Sequence, residues 1–90
     1  MKKCTENIAG QPYFKYEDKV GFYLTPYKET EQKFFVGKVY IIDKWGTFGQ
    51  NDEPSYDIMV EDYNGTGQPC LVKHVRQSSC YILENNNEDI

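Results

Sequence analysis

Apolar and polar positions alternate in several short runs along this chain, and turn-forming residues bound each run. From Lys19 to Leu24 the order Lys-Val-Gly-Phe-Tyr-Leu sets Val20, Phe22 and Leu24 on one face, which predicts a strand. Phe34 to Ile42 is rich in aromatic and β-branched residues and predicts the longest strand, with Gly37 where it would bend or bulge. Ser55 to Glu61 alternates again, with Tyr56, Ile58 and Val60 on one side and Asp57, Met59 and Glu61 on the other. The polar stretch Asp62 to Pro69 contains an Asn64-Gly65 step and predicts a hairpin whose return strand is Cys70 to His74. Val75 to Ser79 is short and polar enough for one helical turn, and Cys80 to Leu83 supplies the last strand. Thr25 to Lys33, with Pro26 and the charges Lys28, Glu29, Glu31 and Lys33, reads as a solvated loop. Asp43 to Pro54, with two glycines and a proline, reads as a long one.

No helical period is sustained over ten residues, so the chain is expected to be all-β. Five short strands must manage their exposed edges, and curling into a small barrel is the usual solution. The predicted order runs strand, charged loop, strand, loop, strand, tight hairpin, strand, helical turn, strand. It resembles that of the SH3-like barrel over residues 17–83 and implies a five-stranded barrel with a short helical turn before the last strand. The expected organisation is a flexible arm at 1–12, one barrel domain at 13–83 and an acidic tail at 84–90, where Glu84, Glu88 and Asp89 surround three asparagines. Two segments, Gly46 to Glu61 and Leu71 to Ser79, look like those of small uncharacterised proteins from Gram-positive bacteria, their prophages and other mobile elements. That resemblance implies a genomic setting and no particular activity.

Composition narrows the function classes. Ninety residues form one small core, which excludes a large multistep enzyme. The first twelve residues lack the apolar run of a signal peptide, and the longest uninterrupted apolar stretch is Val39 to Ile42, so a soluble cytoplasmic protein away from the membrane is expected. The formal charge is -4, but residues 13–83 hold ten acids and eight bases, so the body is close to neutral. No basic stripe for a phosphate backbone is visible in the sequence, which disfavours nucleic acid as a partner. Three cysteines without a Cys-x-x-Cys pair predict neither a disulfide framework nor a redox motif. A zinc site drawn from Cys4, Cys70, His74 and Cys80 fails because Cys70 and His74 on one strand would stand roughly 13 Å apart. Cys70 and Cys80 read instead as small core residues, and no metal or cofactor is expected.

Two surfaces carry candidate binding chemistry. In the loop Asp43 to Pro54, Trp45 and Phe48 lie among glycines and polar groups, with Gln50 and Asn51 for hydrogen bonds and Asp52 and Glu53 for a basic partner. The alternative is that Trp45 and Phe48 fold back to cap an end of the barrel. In the resembling fold, peptides dock against aromatic residues between the first two long loops, which implies a groove lined by Tyr23, Tyr27, Trp45 and Tyr56. The second surface is Lys73, His74, Arg76 and Ser78, a candidate site for a phosphate or carboxylate. His74 is the sole histidine, and neither cysteine is placed to serve with it as a nucleophile, so no catalytic residues are assigned. The expected function is a non-enzymatic protein-binding module, in the mobile-element setting an inhibitor or adaptor, with an anti-defence role as a variant. The alternatives are a nucleic-acid-binding barrel and capture of a small anionic or nucleotide ligand.

Overall fold

The computed structural model describes residues 2–46, 53–63, 65 and 67–83. The five anticipated strands are present: β2 (Lys19–Leu24), β3 (Lys33–Asp43), β4 (Ser55–Val60), β5 (Cys70–Arg76) and β6 (Cys80–Ile82), preceded by a two-residue β1 (Lys2–Lys3). All pairings are antiparallel, in one six-stranded sheet of order β1-β6-β2-β3-β4-β5. The helical turn is narrower than expected, a 3-10 turn over Gln77–Ser79, because Val75 and Arg76 continue β5 by pairing with Tyr56 and Ser55. The sheet is open, where a closed barrel of five strands was expected. Its three-residue strand β6 pairs with β1 along one edge and β2 along the other, leaving no edge for β5.

The core follows the alternation. Val20 and Phe22 of β2, Val39 of β3, Tyr56, Ile58 and Val60 of β4, Val75 of β5 and Cys80 of β6 are buried together with Cys4 and Phe14. Each large side chain in this set contributes about 1.5–3 kcal/mol by leaving water. The bulge anticipated at Gly37 lies further along β3, where the register shifts between Val39 and Ile41. Gly37 serves close approach instead: a Cβ there would stand 2.5 Å from the carbonyl oxygen of Met59.

Residues 2–18 run along the sheet rather than away from it. Lys2 and Lys3 pair with Ile82 and Tyr81, and the Cys4 N–H donates to the Cys80 carbonyl at 2.9 Å. Further on, the Gly10 N–H bonds the Lys44 carbonyl at 2.8 Å, Phe14 meets Tyr56 edge-on at 5.6 Å, and the Val39 N–H donates to the Asp18 carbonyl at 2.9 Å. Gln77, fully buried in the 3-10 turn, ties this segment down. Its amide nitrogen donates to the Glu6 carbonyl, while its oxygen accepts the Tyr13 N–H at 2.8 Å and the Tyr56 hydroxyl. The segment read as a flexible arm thus covers the core by single anchors at irregular spacing, which leave no periodic signature. Residues 84–90, read as an acidic tail, lie outside the described residues. No helix among the described residues is long and apolar enough to cross a membrane.

Candidate functional site

The anticipated aromatic groove does not form as a unit. Tyr56 is buried in the core, its hydroxyl committed to Gln77 and to the Phe14 N–H at 3.2 Å. Its place on the inward face of β4 follows from the same alternation that buries Ile58 and Val60. Tyr27 is 85% exposed in the loop after β2, with the Lys28 ammonium 5.6 Å from its ring centroid. Trp45 is 58% exposed, and its six-membered ring lies against Gly10 of the amino-terminal segment. Tyr23 points outward from β2 and touches other rings, Phe34 and Tyr81. Among the described residues, no ring contact joins any two of Tyr23, Tyr27, Trp45 and Tyr56. Phe48, Gln50, Asn51 and Asp52 lie outside the described residues.

Glu53, expected to favour a basic partner, finds its partners within the chain. Its carboxylate is buried, accepts the Ser78 N–H at 2.8 Å and the Ser78 hydroxyl at 3.1 Å, and stands 3.6 Å from the Arg76 guanidinium. These bonds pin the 3-10 turn to the start of β4, where the Gln77 N–H also bonds the Pro54 carbonyl at 2.9 Å. Ser78 is therefore a structural residue here. Its neighbour Ser79 is the hydroxyl that reaches the cleft described next.

Lys73, His74 and Arg76 do come together. With Val72, Val75 and Ser79 they line one side of a cleft of about 310 Å³, faced by Phe22, Tyr23 and Leu24 of β2. Strands β2 and β5 are not neighbours in the sheet, so the cleft lies where the curled sheet leaves its seam unpaired. Five consecutive residues of β5 contribute to it, which in a strand means that the cleft runs along the edge and not over one face. A bulge shapes that edge. Tyr56 pairs with Val75 and Ile58 with Val72, so Asp57 alone opposes both Lys73 and His74. His74 takes a φ of 64°, a left-handed conformation, and its N–H donates to the Asp57 carboxylate at 3.1 Å. Lys73 and His74, at the bulge, both border the cleft.

The thiols take no part in this surface. Cys4 and Cys80 are buried, and burial pushes both thiols upward, Cys80 to about 12, so they stay protonated at neutral pH. Among the described residues, no three His, Cys, Asp or Glu side chains are grouped to hold a metal ion.

Sequence reading missed two features. One is the buried hub at Gln77, since a lone glutamine beside two serines carries no signal of burial. The other is the outward ring cluster of Tyr23, Phe34 and Tyr81, whose signal was present: each ring alternates with inward residues. Comparison with known proteins finds no matching family model, curated protein or solved structure.

Proposed function

We propose that this chain is a non-enzymatic protein-binding module, an open variant of the SH3-like barrel, that captures an extended acidic segment of a partner in the cleft between β2 and β5. The observation that carries the reading is the convergence of Lys73, His74, Arg76 and Ser79 opposite Phe22, Tyr23 and Leu24. An edge strand offers a row of backbone N–H and C=O groups to an added strand, and main-chain pairing of that kind gives affinity without sequence demands. Specificity then comes from side chains. Carboxylates of the partner meet the basic residues of β5, and its apolar residues meet Phe22, Leu24 and the Tyr23 ring. The order β2 to β6, with a 3-10 turn before β6, supports the barrel reading. Burial of Cys4 and Cys80 supports the non-enzymatic one. In a mobile-element setting, such a module acts as an inhibitor or adaptor by occupying a partner surface.

The test is fluorescence anisotropy with a labelled ten-residue peptide alternating Glu with Leu or Tyr, against the same peptide with Gln for Glu. The acidic peptide is expected to bind, and Lys73→Glu is expected to weaken it about tenfold while the melting temperature is kept. Equal binding of the Gln peptide, or an unaffected Lys73→Glu variant, would overturn the reading.

A further inference from the structure

We infer that the outer face of strands β1, β6, β2 and β3 is a binding platform for single-stranded nucleic acid. This goes beyond the peptide reading and, Tyr23 apart, rests on other residues. The first observation is how charge is sorted. The strands hold seven of the ten Lys and Arg residues, namely Lys2, Lys3, Lys19, Lys33, Lys38, Lys73 and Arg76, but only two of the fourteen acids, Asp43 and Asp57. The other twelve acids lie outside the described strands. Of the basic residues, Lys3, Lys19 and Lys38 lie in the outer rows traced next; Lys2 and Lys33 pair with Ile82 and Leu24 on the inward side, and Lys73 and Arg76 border the peptide cleft.

The second observation is the register. Directly paired residues in an antiparallel sheet point to the same side. Lys3 pairs with Tyr81, Tyr81 with Gly21 and Gly21 with Val36, so these four form one row across the sheet. Tyr23 and Phe34 form the row on one side of it, and Lys19 and Lys38 the row on the other. The inward positions that alternate with them, Val20, Phe22, Cys80 and the half-buried Ile82, pack in or against the core, which fixes these rows as the outer face. Asp43, at the far end of β3, is the only acid in the four strands. At the margin, Glu61 shares a hollow with Lys19 and Lys38, and Glu17 and Asp18 border the same two lysines.

The rings form a continuous surface. Tyr23 and Phe34 lie 5.0 Å apart between centroids, Tyr23 and Tyr81 5.6 Å, and Phe34 and Tyr81 6.0 Å. Gly21 makes room for them: a Cβ there would stand 2.2 Å from the tip of the Phe34 ring. Tyr23 and Val36 remain 44% and 46% exposed. Rings flanked by lysines match a strand of unpaired nucleotides, whose bases stack on the aromatic surface while phosphates meet the ammonium groups. A duplex presents phosphates but keeps its base faces stacked internally, so it satisfies only half of this surface.

Binding of fluorescein-labelled U12 and dT12 by the whole protein, measured by anisotropy at 50 to 200 mM salt, tests the assignment. Binding of either single strand is expected, with weaker binding of the matching duplex. The slope of log K against log salt is expected to be about -1.4 to -2.1, the range for two or three neutralised phosphates on a single strand. Phe34→Ser with Tyr81→Ser is expected to weaken binding about tenfold or more. Lys3→Gln with Lys38→Gln, at exposed positions that leave the fold intact, is expected to flatten the salt slope. Lys73→Glu, which tests the peptide cleft, is expected to leave the salt slope unchanged; Tyr23 borders both surfaces and is left intact for that reason. No binding of either strand at 50 mM salt, equal binding of duplex, or full binding by a folded Phe34/Tyr81 variant would overturn the inference. So would capture of the acidic peptide alone.

Discussion

The two sides of this sheet treat their polar and aromatic groups in opposite ways. Around Gln77 the amino-terminal segment closes over the core, and the polar atoms of Gln77, Tyr56, Tyr13 and Glu6 are paired with one another. On the outer face of β6, β2 and β3, Tyr81, Tyr23 and Phe34 touch one another, and among the described residues no segment closes over them. The difference separates fold from function. Where water is excluded, every polar partner is needed and substitution costs stability; where rings face solvent, substitution alters the surface and spares the fold.

The largest effect is expected at Gln77. Gln77→Leu keeps the volume but removes the partner of the Tyr13 N–H, the Tyr56 hydroxyl and the Glu6 carbonyl. Leaving buried groups unpaired costs about 1–3 kcal/mol each, so a loss of about 4 kcal/mol is expected in urea unfolding. A loss under 1 kcal/mol would show that the hub is dispensable. The next effect belongs to Gly37, where the atom facing a new Cβ is the backbone oxygen of Met59. A backbone atom cannot rotate away, so Gly37→Ala is expected to cost about 3 kcal/mol by forcing β3 and β4 apart.

The closed side also predicts a response to alkali. Burial pushes the Tyr56 hydroxyl up to about 12, from an ordinary value of 10.0, and the Cys80 thiol up to about 12, from 9.0. Both stay protonated in the folded chain while the unfolded chain ionises, so stability from these groups is full below pH 9. It is lost as pH rises from 9 to 12. Tyr56 alone accounts for roughly 3 kcal/mol of that fall. Tyr56→Phe is expected to lower stability by about 1–2 kcal/mol at pH 7, because Phe14 N–H and the Gln77 oxygen lose a partner. It is also expected to shallow the decline above pH 10; parallel pH curves for the two proteins would contradict the burial argument.

Much of the architecture was legible from alternation. The run Lys19 to Leu24 identified β2, and the polar stretch Asp62 to Pro69 between two alternating runs identified the pairing of β4 with β5, because both signals are local; Asn64 of the anticipated turn lies outside the described residues. The edge of β5 was half legible. Lys73, His74 and Arg76 stood out as a basic group, but their convergence depends on a bulge opposite Asp57 and on β2 curling near, both of which are long-range. The packing of the amino-terminal segment was hidden for the same reason: Cys4, Gly10 and Phe14 anchor it singly, and no period connects them. Tyr56 went the other way. Its inward face was visible in its alternation with Asp57, yet a likeness of fold drew it into a surface groove.

The smallest effect on stability, and the most discriminating one, is expected at Gly21. Like Gly37 it sits mid-strand beside a bulky neighbour, but the group in its way is the Phe34 ring, a side chain on the open face. Gly21→Ala therefore displaces a ring and not a backbone, at an expected cost of about 1 kcal/mol or less, since a half-buried side chain on the outer face can swing outward. The same shift breaks the contact of Phe34 with Tyr23 and Tyr81, so the aromatic surface loses continuity while the core on the other side of β2 is untouched. Measured together, unfolding in urea and anisotropy with U12 should part company in this variant: nearly native stability, clearly weakened binding of the single strand. A large loss of stability would mean that the outer rings hold the sheet together, and the contrast between a closed side that folds and an open side that binds would fail.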